Sequence, residues 1–445
     1  MQDEIFETNK EEEEDTNLLS EKKFVKFSFL LFGIGGLLSW NAILADLSFF
    51  INFIPKLNPA ISFPFLNFFL NIIFQFILLF KQKFISYKMQ LLIVLSLSAI
   101  SLIILPISVI NLPKNSTSNL IVTSIMILFQ GFLNAITQNS FFGLVSYFPI
   151  DIIVSMSSGQ GIAGILMNCI QYLVLFFIGD FDVKNSEEKN DNIGKKGSLI
   201  FFSISVLIIL ICLGFFIKVY QNRYFKKQLQ SSGEFSITNI ESLITNADNE
   251  IESELDTLKD TNNLNGEISF LNLTKLLLDI NILTSLLYIG TFSLFPGCCT
   301  KYTIYKLTLG YNINTIGFIF NIFDTIGRSI SSYFNPTKKL IYFVVLSRFI
   351  LLFLIPLNYY FHIEKDNNIS FTSSIFVLFL ILLSITNGLG TSLVFSIAPT
   401  LVPEYVKGKA GSSVSFYLIL GIFLGTICGF GMNLIMDFID NKNKK

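Results

Sequence analysis

The stretch Phe320–Phe334, FNIFDTIGRSISSYF, sets an acid and an arginine four residues apart inside a long apolar run. Residues at i and i+4 lie one above the other on the same face of a helix. Each charge at the centre of a membrane helix costs at least about 2.5–3.5 kcal/mol on insertion scales. Asp324 and Arg328 must therefore pair, face a wet cavity, or do both. An ion pair of this kind marks a solute path by default. The stretch thus reads as part of a transporter rather than as a plain membrane anchor.

The rest of the chain agrees with a membrane setting. Of its 445 residues, 52% are hydrophobic and 15% aromatic, and only 14% are charged. Soluble domains carry about 25% charged residues. Mean hydropathy is +0.62. Apolar runs long enough to cross about 30 Å of hydrocarbon recur along the whole length. The alternating pattern of a β-barrel is absent, so the chain reads as an all-α polytopic membrane protein. A net charge of −1 argues against a nucleic-acid surface. The lone histidine, His362, cannot build a histidine metal cluster, and the five cysteines follow no zinc or disulfide spacing. The sequence therefore calls for no metal and no cofactor. The first 26 residues are polar and acidic, with no secretory signal, so the first span is expected to direct insertion.

Eleven transmembrane helices are expected, at roughly 27–51, 61–80, 89–110, 119–148, 152–179, 198–219, 276–297, 313–334, 340–361, 372–400 and 411–436. Lysine and arginine bias sets the orientation. With the N-terminus cytosolic, 17 basic residues lie inside and 12 outside, Arg328 and Arg348 being within spans. The short inside loop KQKFISYK (Lys81–Lys88) carries much of that bias. The organisation then reads as a cytosolic acidic tail (1–26), a six-helix bundle (27–219), a cytosolic and largely disordered loop (220–275), a five-helix bundle (276–436) and a non-cytosolic tail (437–445). Two bundles joined by one long polar loop suit halves that rock against each other.

Five segments together resemble the equilibrative nucleoside transporter family. GIGGLLSWN (Gly33–Asn41) resembles a glycine-rich LLPWN segment, with Ser39 in place of the usual proline. QNSFFGL (Gln138–Leu144) matches a glutamine-led segment. SSGQGIAG (Ser157–Gly164) is similar to the family's SGQGLAG. FNIFDTIGR (Phe320–Arg328) is the hallmark of span 8, and TNGLGTSL (Thr386–Leu393) also fits. The order and spacing of the segments are more specific than any one of them. The resemblance implies a major-facilitator-like 6+5 fold and alternating-access transport of purine or pyrimidine nucleosides, sometimes nucleobases, either facilitative or proton-coupled. It also implies that Leu37, Trp40 and Leu44 line the cavity, that Gln138 bonds the base, and that Asp324 and Arg328 bind ribose or base. Asn134, where the mammalian branch commonly has glycine, is with Asn321 a candidate for the gate or polar face, and the resemblance does not extend to base selectivity.

The residues themselves suit that chemistry. A nucleoside has a flat base and a polar sugar, so its site needs an aromatic or apolar slot and a few buried hydrogen-bonding groups. Trp40, the only tryptophan, offers such a face, against the alternative of an interfacial belt residue. Gln138 carries both a donor and an acceptor, against the alternative of an interhelical bond. Asp324 accepts from hydroxyls while Arg328 keeps it ionised; the competing reading is a structural pair that locks span 8. Asn321 extends the polar face. Asp46 reads as a gate or proton site, or, with more weight, as a solvated acid at a helix end. Arg348 reads as a structural cation. No nucleotide-binding loop or dinucleotide fingerprint occurs, and no nucleophile–base set points to an enzyme. Protons are a candidate coupling partner. EDTNLL, with Glu14, Leu18 and Leu19, reads as a binding motif for a sorting adaptor. Plasma membrane is the first expectation for location, an endosomal or lysosomal membrane the second. Sequons at Asn115 and Asn368 fall on the expected outer side, and that at Asn272 on the inner side. The rivals are a carrier of another small organic solute and a non-transporting multi-span receptor or scaffold.

Overall fold

The structure is a computed structural model that describes residues 2–80, 86–180, 186–231, 270–302, 304, 307–364 and 369–443. Every element of regular structure among them is helical. The first half contains α1 (Gln2–Ala45), α2 (Leu47–Phe53), α3 (Pro59–Phe80), α4 (Tyr87–Asn111), α5 (Thr117–Val145), α6 (Ile150–Ile178), α7 (Glu187–Val219) and α8 (Arg223–Ser231). The second contains α9 (Phe270–Leu276), α10 (Leu278–Phe292), α11 (Leu309–Ile330), α12 (Lys338–Ser347), α13 (Leu351–Glu364), α14 (Ile369–Ile397) and α15 (Lys407–Asn443). Serines start three of the long helices: Ser86, Ser116 and Ser186 each accept from the backbone N–H three residues on. That bond satisfies a donor the helix cannot pair internally.

Nine helices among the described residues are long and apolar enough to cross a membrane, the run Lys338–Phe361 counting as one. The two expected spans outside that set differ for separate reasons. Helix α10 is apolar but only 15 residues long, ending before Pro296. Helix α11 spans 22 residues, but Asn312, Asn314, Asn321, Asp324 and Arg328 lower its hydropathy.

Other boundaries also differ from expectation. The first span breaks at Asp46, while α1 runs unbroken through Ser39. Helix α7 starts at Glu187, so the segment read as an outer loop up to 197 is largely helical. The ninth span breaks at Arg348 into α12 and α13. The tail read from 437 onward continues α15 to Asn443. The start of the central loop is ordered as α8, docked on the first bundle: Phe225 is buried, and Gln228 Nε2 donates to Tyr147 O at 3.1 Å. Amphipathic α8 has an apolar side to bury, which a reading of the whole loop by composition hides. Most of that loop, and the side chains of Glu14 and Leu18, lie outside the described residues; Leu19 is exposed.

Helix packing follows the small residues. Lipid offers no hydrophobic drive for helix association, so close backbone approach matters. In the first bundle α1 crosses α6 where Gly33 faces Met156 O and Gly159 faces Leu30 O; a methyl group at either would strike backbone. Helices α3, α4 and α7 complete this bundle around α1 and α5. In the second, α10 packs on α15 and α11 on α14. The bundles meet along α6–α11 and along α3 and α5 against α15. Phe176, Phe177 and Phe353 point outward, each about three-quarters exposed, as lipid-facing side chains would.

Candidate functional site

A cavity opens between the bundles, with about 120 Å³ of room for the centres of water-sized spheres. Helix α1 supplies Leu37, Trp40, Asn41 and Leu44. Helix α5 supplies Asn134 and Gln138, and α11 supplies Asn321, Asp324 and Arg328. Of the residues expected to bind substrate, gate the path or extend its polar face, only Asp46 is absent from the wall.

Trp40 is 6% exposed, which removes the interfacial-belt alternative. Its ring meets Phe68 edge-on at 5.1 Å, and Phe68 meets Phe292 at 5.6 Å. Across the cavity Phe295 and Phe320 stack at 4.1 Å. Aromatic walls thus come from both bundles.

The polar floor is a continuous network. Asp324 and Arg328 are each 4% exposed and pair at 2.7 Å through Nε and Oδ2. Asn387 Nδ2 donates to the second carboxylate oxygen, Oδ1, at 2.7 Å. Arg328 Nη1 reaches across the bundle boundary to Gln160 Oε1 (3.1 Å), Ser157 O (3.2 Å) and Ser157 Oγ (3.3 Å). Gln160 Nε2 then donates to Gln138 Oε1 at 3.2 Å. Gln138 was read as offering both amide groups; its oxygen is already engaged, leaving Nε2 as the main group toward a ligand. Asn134 is likewise engaged, accepting from Gln130 and donating to Asn67, each at 3.4 Å. Asn321 packs against Gly164, where a side chain would collide with its amide.

Asp46 is not a solvated helix-end acid. It is 3% exposed, and its Oδ1 accepts from Gln171 Nε2 at 2.9 Å. No ion pair reaches it among the described residues. The α1–α2 break turns this side chain into the first bundle, toward α6.

Several wall residues escaped the sequence reading. Asn71 of α3 is 1% exposed, lines the cavity, and has both amide atoms unpaired. Asn168 Nδ2 and Asn314 Oδ1, also in the wall, are unpaired too. Buried polar groups are rarely left so, and ones facing a cavity await a ligand or water. Tyr288 contributes a hydroxyl that shares a hydrogen bond with Thr391 at 2.9 Å. The polar stripe Asn67, Asn71, Gln75 has helical i, i+4, i+8 spacing and was the available signal for Asn71.

Side-chain contacts tie the bundles at both ends of α6, to α14 at one end and to the start of α11 at the other. At the end where α6 begins, Ser157 and Ser392 share a hydroxyl bond at 2.8 Å, and Phe142 stacks on Phe395. At the other end Asp180, just past α6, accepts from Thr308 Oγ1 and from Tyr311 N at 3.1 Å. Tyr172 and Thr315 share a bond there at 2.7 Å.

Two helical bundles around a central site of aromatic walls and a charged floor define a polytopic carrier. The fold resembles that of major facilitator superfamily transporters. The proton:xylose symporter XylE bound to 6-bromo-6-deoxy-D-glucose aligns over 96% of both chains at 12% identity, with a TM-score of 0.58. FucP in its outward conformation aligns over 94% of this chain and 98% of its own, at 13% identity and a TM-score of 0.52. The sequence model of the nucleoside transporter family matches residues 124–434. The chain belongs to that family and is an integral multi-pass membrane protein of the nucleoside-transport class. It is 23% identical over 416 residues to equilibrative nucleotide transporter 4 of Arabidopsis thaliana, covering 90% of this chain and 91% of that one. It is 23% identical over 451 residues to equilibrative nucleoside transporter 2 of Homo sapiens, covering 91% and 96%.

Proposed function

We propose that this carrier moves nucleosides by alternating access, with units 27–219 and 276–436 rocking about the cavity. The observation that carries the reading is the buried Asp324–Arg328 pair on the cavity floor, joined directly to both bundles. Asp324, paired with Arg328, accepts from sugar hydroxyls. Trp40 gives the base an apolar face beside Leu37 and Leu44. Gln138 Nε2 and the unpaired amide of Asn71 read the base edge, a donor–acceptor pair matched to the Watson–Crick or Hoogsteen edge of a base. Because Arg328 bonds to Ser157 and Gln160, the residue that meets substrate also holds the bundles together, which links occupancy to closure.

A second reading concerns coupling. Asp46 is a buried acid without a cation partner among the described residues, and that position supports proton-coupled transport through it. The plasma membrane with a cytosolic N-terminus remains the proposed setting, and adaptor binding at Glu14, Leu18 and Leu19 the proposed route to internal membranes.

The test is uptake of radiolabelled adenosine and uridine in transporter-deficient cells, wild type beside Asp324→Ala at matched surface abundance. Saturable uptake lost in the variant is the expected result. Uptake kept in the variant reduces the pair to a structural lock. No uptake by surface-resident wild type, at neutral or acid pH, favours another solute or a non-transporting role.

A further inference from the structure

Arg348 stands at the break between α12 and α13, 3% exposed, and does not line the cavity. Its Nη1 donates to Leu287 O at 3.1 Å, and its Nη2 to Thr291 Oγ1 at 2.7 Å and Leu383 O at 3.2 Å. Its Nε has no hydrogen-bond partner, and no carboxylate pairs with it among the described residues. A buried cation held only by neutral groups is costly, so its position needs a reason beyond packing.

The reason lies three hydrogen bonds away, at Asp324. Thr291 Oγ1 donates to Asn387 Oδ1 at 2.7 Å, shorter than its 3.1 Å alternative to Leu287 O. Asn387 Nδ2 donates to Asp324 Oδ1 at 2.7 Å. Thr291 and Asn387 are buried, 0% and 3% exposed. The order Arg348, Thr291, Asn387, Asp324 therefore has a fixed polarity. Guanidinium can only donate and carboxylate can only accept. Thr291, obliged to accept from Arg348, turns its single hydrogen to Asn387. Asn387 must then present oxygen to Thr291 and its NH₂ to Asp324. The opposite amide orientation would set two oxygens against each other at Asp324 and turn the NH₂ group toward the Thr291 hydroxyl hydrogen.

We propose that Arg348 is a positioning residue of the sugar site, acting through Thr291 and Asn387 to fix how Asp324 presents its carboxylate to the cavity. Asp324 is then clamped on both oxygens: Arg328 holds Oδ2 from its own helix, and the Arg348 relay holds Oδ1 from three others. The lone pairs left over point in one defined direction, so hydroxyls on the sugar meet a preorganised acceptor. Truncating the relay frees the Asn387 amide and loosens the carboxylate, with no change in which groups touch substrate. The inference rests on Asp324 as the sugar-hydroxyl site.

The test compares uridine with 2′,3′-dideoxyuridine in Thr291→Val, Thr291→Ser, Arg348→Gln and Asp324→Asn, at measured surface abundance. Thr291→Val keeps size but removes the relay hydroxyl. Its KM for uridine should rise about tenfold, the scale of a lost hydrogen bond to a charged network. Its KM for the dideoxy analogue and its maximal rate should hold. Thr291→Ser should restore the uridine KM. Arg348→Gln should match Thr291→Val, and the double variant should be no worse than either. Equal KM rises for both substrates, or none, in Thr291→Val while Asp324→Asn alters the uridine-to-dideoxyuridine ratio would overturn the relay alone. A ratio unmoved in Asp324→Asn would overturn the sugar reading and the relay with it.

Discussion

At the scale of single residues, the site is a problem of holding charge in a dry place. Asp324 and Arg328 are tolerated because every reach of the pair ends on a polar group: Asn387, Ser157 or Gln160. Removing one member of a buried pair strands the other, at about 3–5 kcal/mol. Gln160→Leu is expected to impair uptake severely, because it removes an Arg328 acceptor and the Gln138 donor in one step; kinetics in transporter-deficient cells check this. Asp46 predicts a different phenotype. Uptake of uridine by wild type should rise on external acidification, and Asp46→Asn should abolish that rise while leaving exchange at neutral pH. A variant that keeps the acid stimulation would assign coupling elsewhere. The sequence made the Asp324–Arg328 pair legible because helical spacing is local. It could not show Asn387, Gln160 or Thr291 as partners, since those contacts join residues from 63 to 168 positions apart on α11, α14 and α6, or 96 apart on α10 and α14. Asp46 was misread because its burial depends on a break in α1 that hydropathy does not mark.

At the scale of elements, α11 is the pivot. It carries the charged pair, packs on α14 within its own bundle and on α6 across the boundary. The α11–α14 crossing is set by glycines that face backbone: Gly388 lies against Asp324 O, and Gly327 against Ile385 O. A Cβ at Gly388 would push the very turn that holds the carboxylate. Gly388→Ala is therefore expected to lose about 1–3 kcal/mol of stability through overpacking. It should also lose uptake beyond what its surface abundance explains. Thermal melting in detergent beside uptake per surface molecule separates the two effects. A variant with normal uptake would mean that α11 and α14 can part without disturbing Asp324. Hydropathy made most spans visible, but α11 is the weakest of them by that measure because its polar residues face the cavity. Function here erodes the signal by which spans are found. The break at Arg348 was hidden for the converse reason: one cation in an apolar run reads as a continuous span, and only the packing reveals what the side chain reaches.

At the scale of the whole molecule, both ends of α6 are bonded across the bundle boundary at once, to α14 at one end and to the start of α11 at the other. Transport requires one end to release while the other holds, and a ligand can bias that exchange only through different affinity for the two states. Ser157 and Ser392 face each other at 2.8 Å between their oxygens, close enough for a disulfide after modest adjustment toward the usual S–S length of about 2.05 Å. The double variant Ser157→Cys/Ser392→Cys should therefore lock the end where α6 begins. Under oxidant its uptake should stop, and a reducing agent should restore it, while each single variant stays insensitive. The native cysteines are free, and Cys169 and Cys428 are exposed, so the single variants are the necessary controls. The locked protein should still bind substrate from the side where Asp180 meets Thr308, since that seal is untouched. Binding without transport would place the moving boundary along α6. Full uptake with the cross-link demonstrated by mass spectrometry would mean that the bundles do not part there, and that the pathway runs along the α3–α15 face instead.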